Sequence, residues 1–592
     1  MIFKEKKNRT AVVCLLLSLI LLLPSLSACT NSDPVDSTES GTDTAAVASS
    51  PVTLAENGKV IARVVRGFNA SDGEITAAKA VRTALMNLFP GSEVEITDDY
   101  SADKSYGGDT VEILVGKTEY PQSTEAYSEL PYGDYGVKIS GNKVLLLAWV
   151  PTVMPLLASN FADILYSCMS EDKSSLTLTP EKCSFSSCSN ELSEVPVAGE
   201  SPVSIINSGN SAYQLYFSPA DTGLLSGYSE KLTAAGFTTC SDRTVGKNRF
   251  MTFKNSNVAV TAYYTDTNKT VRVIVEPVKN YYGTGTATKL KSVTPSLTMI
   301  GRRFSTTETY LNTDAGAGLM CFLIQLSDGR FIVIDGGLHD GIASYSQALY
   351  SKMLELAPDK NNVDIAAWII THSHSDHIGG FCSFAASYSS KVKLEAILYN
   401  FPSEADHKAA SDETNDYKNL SAAIGSYFSR VPVYKPHTGQ RYSIGDAVVE
   451  ILYTHEDFVT KTRTIGSVTN NWNNSSMIFS VEIAGEKLMF LGDSQEIPNN
   501  ITAAVYGSYL KSDICQVAHH GGIGGTNSIY NVIDPEIALF TTSDLLVPVY
   551  ISKFKYNYHL INELNVKEYR NAADRIVTLS LPYHATGSGF VK

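Results

Sequence analysis

Three of the chain's 11 histidines fall within six residues, in Thr371-His372-Ser373-His374-Ser375-Asp376-His377-Ile378-Gly379-Gly380. Imidazoles at i and i+2 of an extended segment reach one cation, while the Asp and His on the next turn of chain reach a second. Two metals about 3.5–4 Å apart that share a water suit hydrolysis at phosphorus or at a carbonyl. Such clustering is too dense for histidines scattered over a surface turn. The donors are all nitrogen or oxygen, a set that suits Zn²⁺ and admits Mn²⁺ or Fe.

These groups need elements to carry them. Asp364 to Ile370 (DIAAWII) reads as a buried strand, so the histidines begin where it ends, and a glycine-limited turn leads into a helix. Strand ends are where α/β proteins display ligands. Downstream, the strand Leu488 to Leu491 ends in Gly492-Asp493, and Ile514 to Ala518 ends in His519-His520-Gly521-Gly522. A third nitrogen for the first metal is expected between Gly380 and Asp493, where His407, His437 and His455 are available. His455 is favoured because it follows the strand Val448 to Tyr453, whereas His407 lies in a polar stretch and His437 beside Pro436. Adjacent residues of an extended segment point opposite ways, so the strand pattern alone leaves open which of His519 and His520 is a ligand.

The HxHxDH element resembles the signature of the metallo-β-lactamase superfamily, and the resemblance extends over most of residues 297–592. Asp328-Gly329-Arg330 and the run Phe331 to Gly337 (FIVIDGG) resemble its early hairpin, whose Asp, here Asp335, supports the metal loop without binding metal. The resemblance makes Asp493 the carboxylate that bridges both metals. It makes His520, directly before Gly, the last ligand, and His519 a neighbour facing substrate. The implied set is His372, His374, His455 and Asp493 on one metal, with Asp376, His377, His520 and Asp493 on the other.

Asn473 to Phe479, then Ala484-Gly485-Glu486, GDS and AHHGG, are similar to the soluble domain of the ComEC branch and to the phosphorylcholine esterases that trim teichoic acids. Asp376 and Asp493, in place of Cys, suit a phosphoesterase better than a β-lactam hydrolase. The implied activity is phosphodiester hydrolysis, on a teichoic acid-like polymer or DNA. Asp376 and Asp493 act at the metals, and His519, or else Tyr558 or His559, gives a proton to the leaving group. The sequence departs from ComEC in reading HHGG where HHGS is usual, and residues 297–592 hold 22 Lys+Arg against 30 Asp+Glu.

The whole chain of 592 residues has a formal charge of −14, which speaks against a broad basic surface for nucleic-acid backbones. Hydrophobic residues at 43% and charged residues at 18% exclude a disordered chain, and no period marks a repeat protein. Residues 1–28 have a basic start and a short apolar run ending in Leu26-Ser27-Ala28-Cys29, which resembles the lipobox of bacterial lipoproteins. Cys29 is therefore the expected lipidation site, residues 29–55 a flexible tether, and the cell membrane's outer face the expected location. No later stretch offers the ~18 consecutive apolar residues of a membrane span, so ComEC's channel has no counterpart.

Strand and helix patterns over 56–200 and 201–285 read as two small α/β or α+β accessory domains ahead of the hydrolase domain at 295–592. The fold class is α/β, with an αββα sandwich at the carboxyl end. Residues 56–200 resemble the small domain ahead of the barrel in some polysaccharide-degrading enzymes, which implies a glycan contact; a plain spacer is the competing reading. Cys183 is expected to pair with Cys188 or Cys168, and the remaining thiols to be buried and free. The alternative to an enzyme is a binding lipoprotein for wall polymer or carbohydrate with a vestigial metal site.

Overall fold

The computed structural model describes residues 50–591 apart from 103–109, 132, 150, 188–194, 200–201, 210–211, 283–291, 302–319, 340–344, 410–413, 461–462, 464–465, 467, 469–470 and 572–574. The expected leader, Cys29 and most of the tether lie outside the described residues, as does Cys188. The end of the expected tether is structured: Val52–Glu56 is a strand that pairs with Lys59–Val60 and with Leu176–Leu178. Among the described residues no helix is long and apolar enough to cross a membrane. Cys168 and Cys183 are free thiols, and Cys321 and Cys515 are buried ones, whereas Cys240 is exposed.

The first accessory unit is built on a six-stranded sheet. Its Arg63–Arg66, Ile96–Asp98, Glu112–Val115 and Lys143–Ala148 strands run parallel, and Asp134–Ser140 and Phe185–Ser187 add an antiparallel edge. Helix Asp72–Leu88 starts on a capping box between Ser71 and Glu74 and buries Ala77, Ala78, Val81 and Leu85. The second unit is a six-stranded antiparallel sheet with helix Thr222–Ala234 against one face.

The carboxyl-terminal part holds two eight-stranded sheets that face each other. Alternation decides which layer each side chain joins. In Phe331–Ile334, Ile332 and Ile334 enter the core between the sheets, while Phe331 and Val333 pack under the outer helices with Trp368 and Phe384. In Glu486–Phe490 of the other sheet, Leu488 and Phe490 point inward and Met489 outward. Strands covered on both faces read as unbroken apolar runs for this reason. The arrangement is the expected αββα sandwich.

The antiparallel accessory sheet is fused to this sandwich through buried polar contacts. Arg272 donates to the carbonyl oxygens of Asp457 and Val459 at 3.2 and 2.7 Å, and Tyr263 donates to Asp457 at 2.8 Å. Arg243 pairs with the buried Glu450 at 2.6 Å, and Phe250 stacks on Tyr506 at 5.6 Å between centroids. Residues 49–592 accordingly form one compact unit.

Candidate metal centre

Parallel pairing brings the ligand-bearing loops to one edge. Ile334 lies opposite Ile369, so Asp335 and Thr371 leave neighbouring strands together. Glu486–Phe490, Ile514–Gln516 and Ile537–Phe540 run parallel, so Asp493, His519-His520 and Thr541 all follow strand ends. The two sheets are joined here by Met477 N–H donating to the Thr371 carbonyl at 3.0 Å, and within the second sheet Asp493 N–H donates to Ser476 Oγ at 3.2 Å. Gly380, in the first turns of helix Ser375–Tyr388, lets that helix lie on the FIVIDGG turn, because a Cβ there would run into the Gly336 carbonyl.

Two groups of side chains converge at this edge. His372, His374 and Asp493 form one, and Asp376, His377, Asp493 and His520 the other, the ligand atoms of each lying within 4.8 Å of one another. Asp493 Oδ2 is 3.2 Å from His377 Nε2, 3.2 Å from His520 Nε2 and 3.9 Å from His372 Nε2. His520 Nε2 is also 3.0 Å from Asp376, and His372 Nε2 is 2.9 Å from His374 Nδ1.

A second set of residues aims the first. The fully buried Asp335 accepts the Thr371 N–H and hydroxyl, each at 2.8 Å, and its Oδ2 lies 2.7 Å from His377 Nδ1. Thr371, having given its proton to Asp335, accepts from His372 Nδ1 at 3.1 Å. His520 Nδ1 lies 2.8 Å from Thr541 Oγ1. Each of the three rings therefore turns its Nε2 toward the centre, the nitrogen by which it would hold a metal. Asp335, His519 and His520 sit at φ of +54°, +53° and +58°, a left-handed backbone that costs about 1–3 kcal/mol per residue.

Electrostatics follow the geometry. Burial lowers the His372 and His374 pKa values, and neighbouring histidines add to the effect, so both rings stay neutral. Burial works against charge on Asp376 as well, but His377 and His520 bring its pKa down to about 2. Against the same burial, His377, His520 and His519 hold Asp493 well below the carboxylate range. Asp493 Oδ1, His377 Nε2 and His520 Nε2 are buried without an aligned hydrogen bond. Burial opposes charge on these two rings, but the surrounding carboxylates raise the pKa of His377 and bring that of His520 to about 9, so a divalent cation held there would take the place of the proton on each inward nitrogen.

Residues 319–531 match the family model described as the metallo-beta-lactamase superfamily. This segment is a metallo-β-lactamase superfamily domain. The superfamily comprises metal-dependent hydrolases and related enzymes. No curated protein matches the sequence. Among solved structures, the metallo-beta-lactamase fold protein YhfI from Bacillus subtilis is similar at 12% identity and a TM-score of 0.28, over 48% of this chain and 98% of that one. Zn(2+)-bound PqqB from Methylobacterium extorquens is similar at 12% identity and 0.29, over 48% and 100%. CmlA, a diiron β-hydroxylase from Streptomyces venezuelae, is similar at 12% and 0.30, over 50% of this chain and 55% of its own.

The metallo-β-lactamase domain places the other expected residues as follows. His455, taken above as the third nitrogen of the first metal, is in neither ligand group. Thr454 and Asp457 close a capping box that starts the short helix His455–Phe458 immediately after the strand. That turn buries the His455 ring, with Nδ1 3.4 Å from the Asn400 carbonyl and Glu456 and Lys435 as its charged neighbours. His437 is enclosed between Glu276 and Glu456 at 3.0 and 2.8 Å. His559 lies between Glu563 and Asn531, and Tyr558 is half exposed on the same helix. His519 stands beside the centre, its Nε2 3.7 Å from Asp493 Oδ2 and its side chain 24% exposed.

Sequence reasoning did not single out Thr371, Ser476 or Thr541. Thr371 had a signal in preceding the HxH pair directly. Thr541 had only its place at a strand end, and Ser476 lay within a motif whose chemistry is not local.

Proposed function

We propose that the chain is an extracytoplasmic, lipid-anchored hydrolase that cleaves a phosphodiester in a teichoic acid-like surface polymer or in DNA, using two divalent cations. Zn²⁺ is the first choice of metal, with Mn²⁺ or Fe as alternatives. The observation that carries the reading is the position of Asp493, whose one carboxylate faces both ligand groups. His372, His374 and Asp493 would hold one cation, and Asp376, His377, His520 and Asp493 the other. Cations bound there supply positive charge against a phosphate and a water acidified toward neutrality.

The chain's residues do the positioning. Asp335, directly and through Thr371, fixes the proton on the far nitrogen of His377 and His372, and Thr541 does so for His520. His519 has a buried Nδ1 with no hydrogen-bond partner and a partly exposed ring, which suits passage of a proton to the leaving oxygen. Phe68 and Tyr100, 58% and 70% exposed with centroids 5.4 Å apart, follow adjacent strands of the first accessory sheet and support a glycan contact there.

The test is turnover of bis(p-nitrophenyl) phosphate, teichoic acid fragments and single- and double-stranded DNA by the purified chain. Activity should vanish on chelation and return with Zn²⁺ or Mn²⁺. A chain that holds metal yet turns over none of these, while binding wall polymer, would instead be the binding lipoprotein. Cys29→Ser tests the anchor, and full retention in a salt-washed membrane fraction would contradict it.

A further inference from the structure

Between the two histidines of the first ligand group stands Ser373, and its side chain has a destination of its own. In extended backbone successive side chains point to opposite sides. His374, at φ −75° and ψ 151°, is extended, so His372 and His374 turn one way and Ser373 the other. Ser373 is fully buried, and its Oγ lies 3.3 Å from Nε2 of His407, which is also fully buried. His407 Nδ1 lies 3.0 Å from the Ser403 carbonyl, an acceptor only, so Nδ1 carries the proton and Nε2 accepts from the Ser373 hydroxyl. The ring cannot swing away, because Trp472 stacks on it at 4.2 Å and 23°, and Tyr417 lies 4.3 Å from it. Trp472 follows Asn471, whose amide donates to Gln495 at 2.6 Å, two residues beyond Asp493.

We propose that His407 is a positioning residue for the metal held by His372, His374 and Asp493: by fixing the Ser373 hydroxyl it sets the rotation of the peptide units that aim both imidazoles. The inference rests on the metal-centre reading above. His407 itself touches neither metal nor substrate. Its stacking partners are Tyr417 and Trp472, so the same contact ties these two side chains to the loop that carries His372 and His374.

The test is chelator competition on the full chain loaded with Zn²⁺, resolving the two metals, with thermal melting in parallel. Ser373→Ala removes the donor without touching His407, and His407→Phe keeps an aromatic ring in the stack while removing the acceptor. Each should weaken one Zn²⁺ about three- to tenfold, the size of one lost hydrogen bond, and leave the other unchanged. The double variant should be no weaker than either single one. His407→Gln, whose amide oxygen can accept from Ser373, should lie within about twofold of the parent. Parental affinity for both metals in Ser373→Ala and His407→Phe, or effects that simply add, would overturn the proposal. A parent that takes up no metal would contradict the metal-centre reading itself, and this inference with it.

Discussion

Asp335 Oδ2 lies 2.7 Å from His377 Nδ1 and also accepts the hydroxyl of Thr371, which in turn accepts from His372. One buried carboxylate thus sets the tautomer of a histidine in each ligand group. Asp335→Ala should therefore weaken both metals, by about 10–100-fold, without abolishing either. His374→Ala, which removes a ligand outright, should cost the first metal entirely. Metal retention after dialysis against graded chelator compares the two. Equal and complete loss of both metals in both variants would contradict the assignment of Asp335.

His455 gives a prediction of the opposite kind. Its ring is directed to the Asn400 carbonyl and lies outside both ligand groups. His455→Ala should keep a metal-to-protein ratio near two while lowering stability by about 1–3 kcal/mol through a buried cavity and a lost polar contact. Elemental analysis decides the first part and a denaturant melt the second. A ratio of one would restore His455 as a ligand.

Legibility in the sequence followed the range of the interactions concerned. His372, His374, Asp376 and His377 were readable as a cluster because strand, turn and side chains lie within a few residues of one another, whereas Asp493 and His520 entered through the family resemblance. The strands of the sandwich were readable because 331–334, 365–370 and 488–491 are unbroken apolar runs of strand length, while the αββα arrangement itself came from the family resemblance. The direction of His455 was not read, although Thr454 to Asp457 has the spacing of a capping box, because a strand end that turns at once into a helix re-aims the next side chain. His407 reaches Ser373 from 34 residues away, and the clasp of Arg272 on Asp457 and Val459 spans 185 and 187 residues. No local pattern announces contacts of that kind.

A second buried contact between the accessory sheet and the sandwich should make stability sensitive to alkali. His437 is buried between Glu276 and Glu456 beside Lys435, and although burial opposes its charge, the two carboxylates raise its pKa to about 9. A raised histidine pKa stabilises fully below the unfolded value near 6.5 and loses that contribution as pH climbs through the folded value. His437→Gln should therefore be less stable than the parent at pH 6, by an amount on the order of 3 kcal/mol, and the gap should close toward pH 10. Denaturant melts of both proteins across that range measure it. A gap independent of pH would show that His437 is held neutral.

Asp493 is the residue on which the account turns, since among the described residues it alone belongs to both ligand groups. Asp493→Ala takes a ligand from each cation and leaves two positive charges facing one another with less compensation. The fold should survive, because the strands that carry the site are stabilised by apolar burial between the sheets. The decisive measurement is elemental analysis of purified parent and Asp493→Ala, with phosphodiesterase rates on the same samples. The account predicts a metal-to-protein ratio near two in the parent, one or less in the variant, and a steep fall in rate. Two metals and near-parental activity in Asp493→Ala would contradict it.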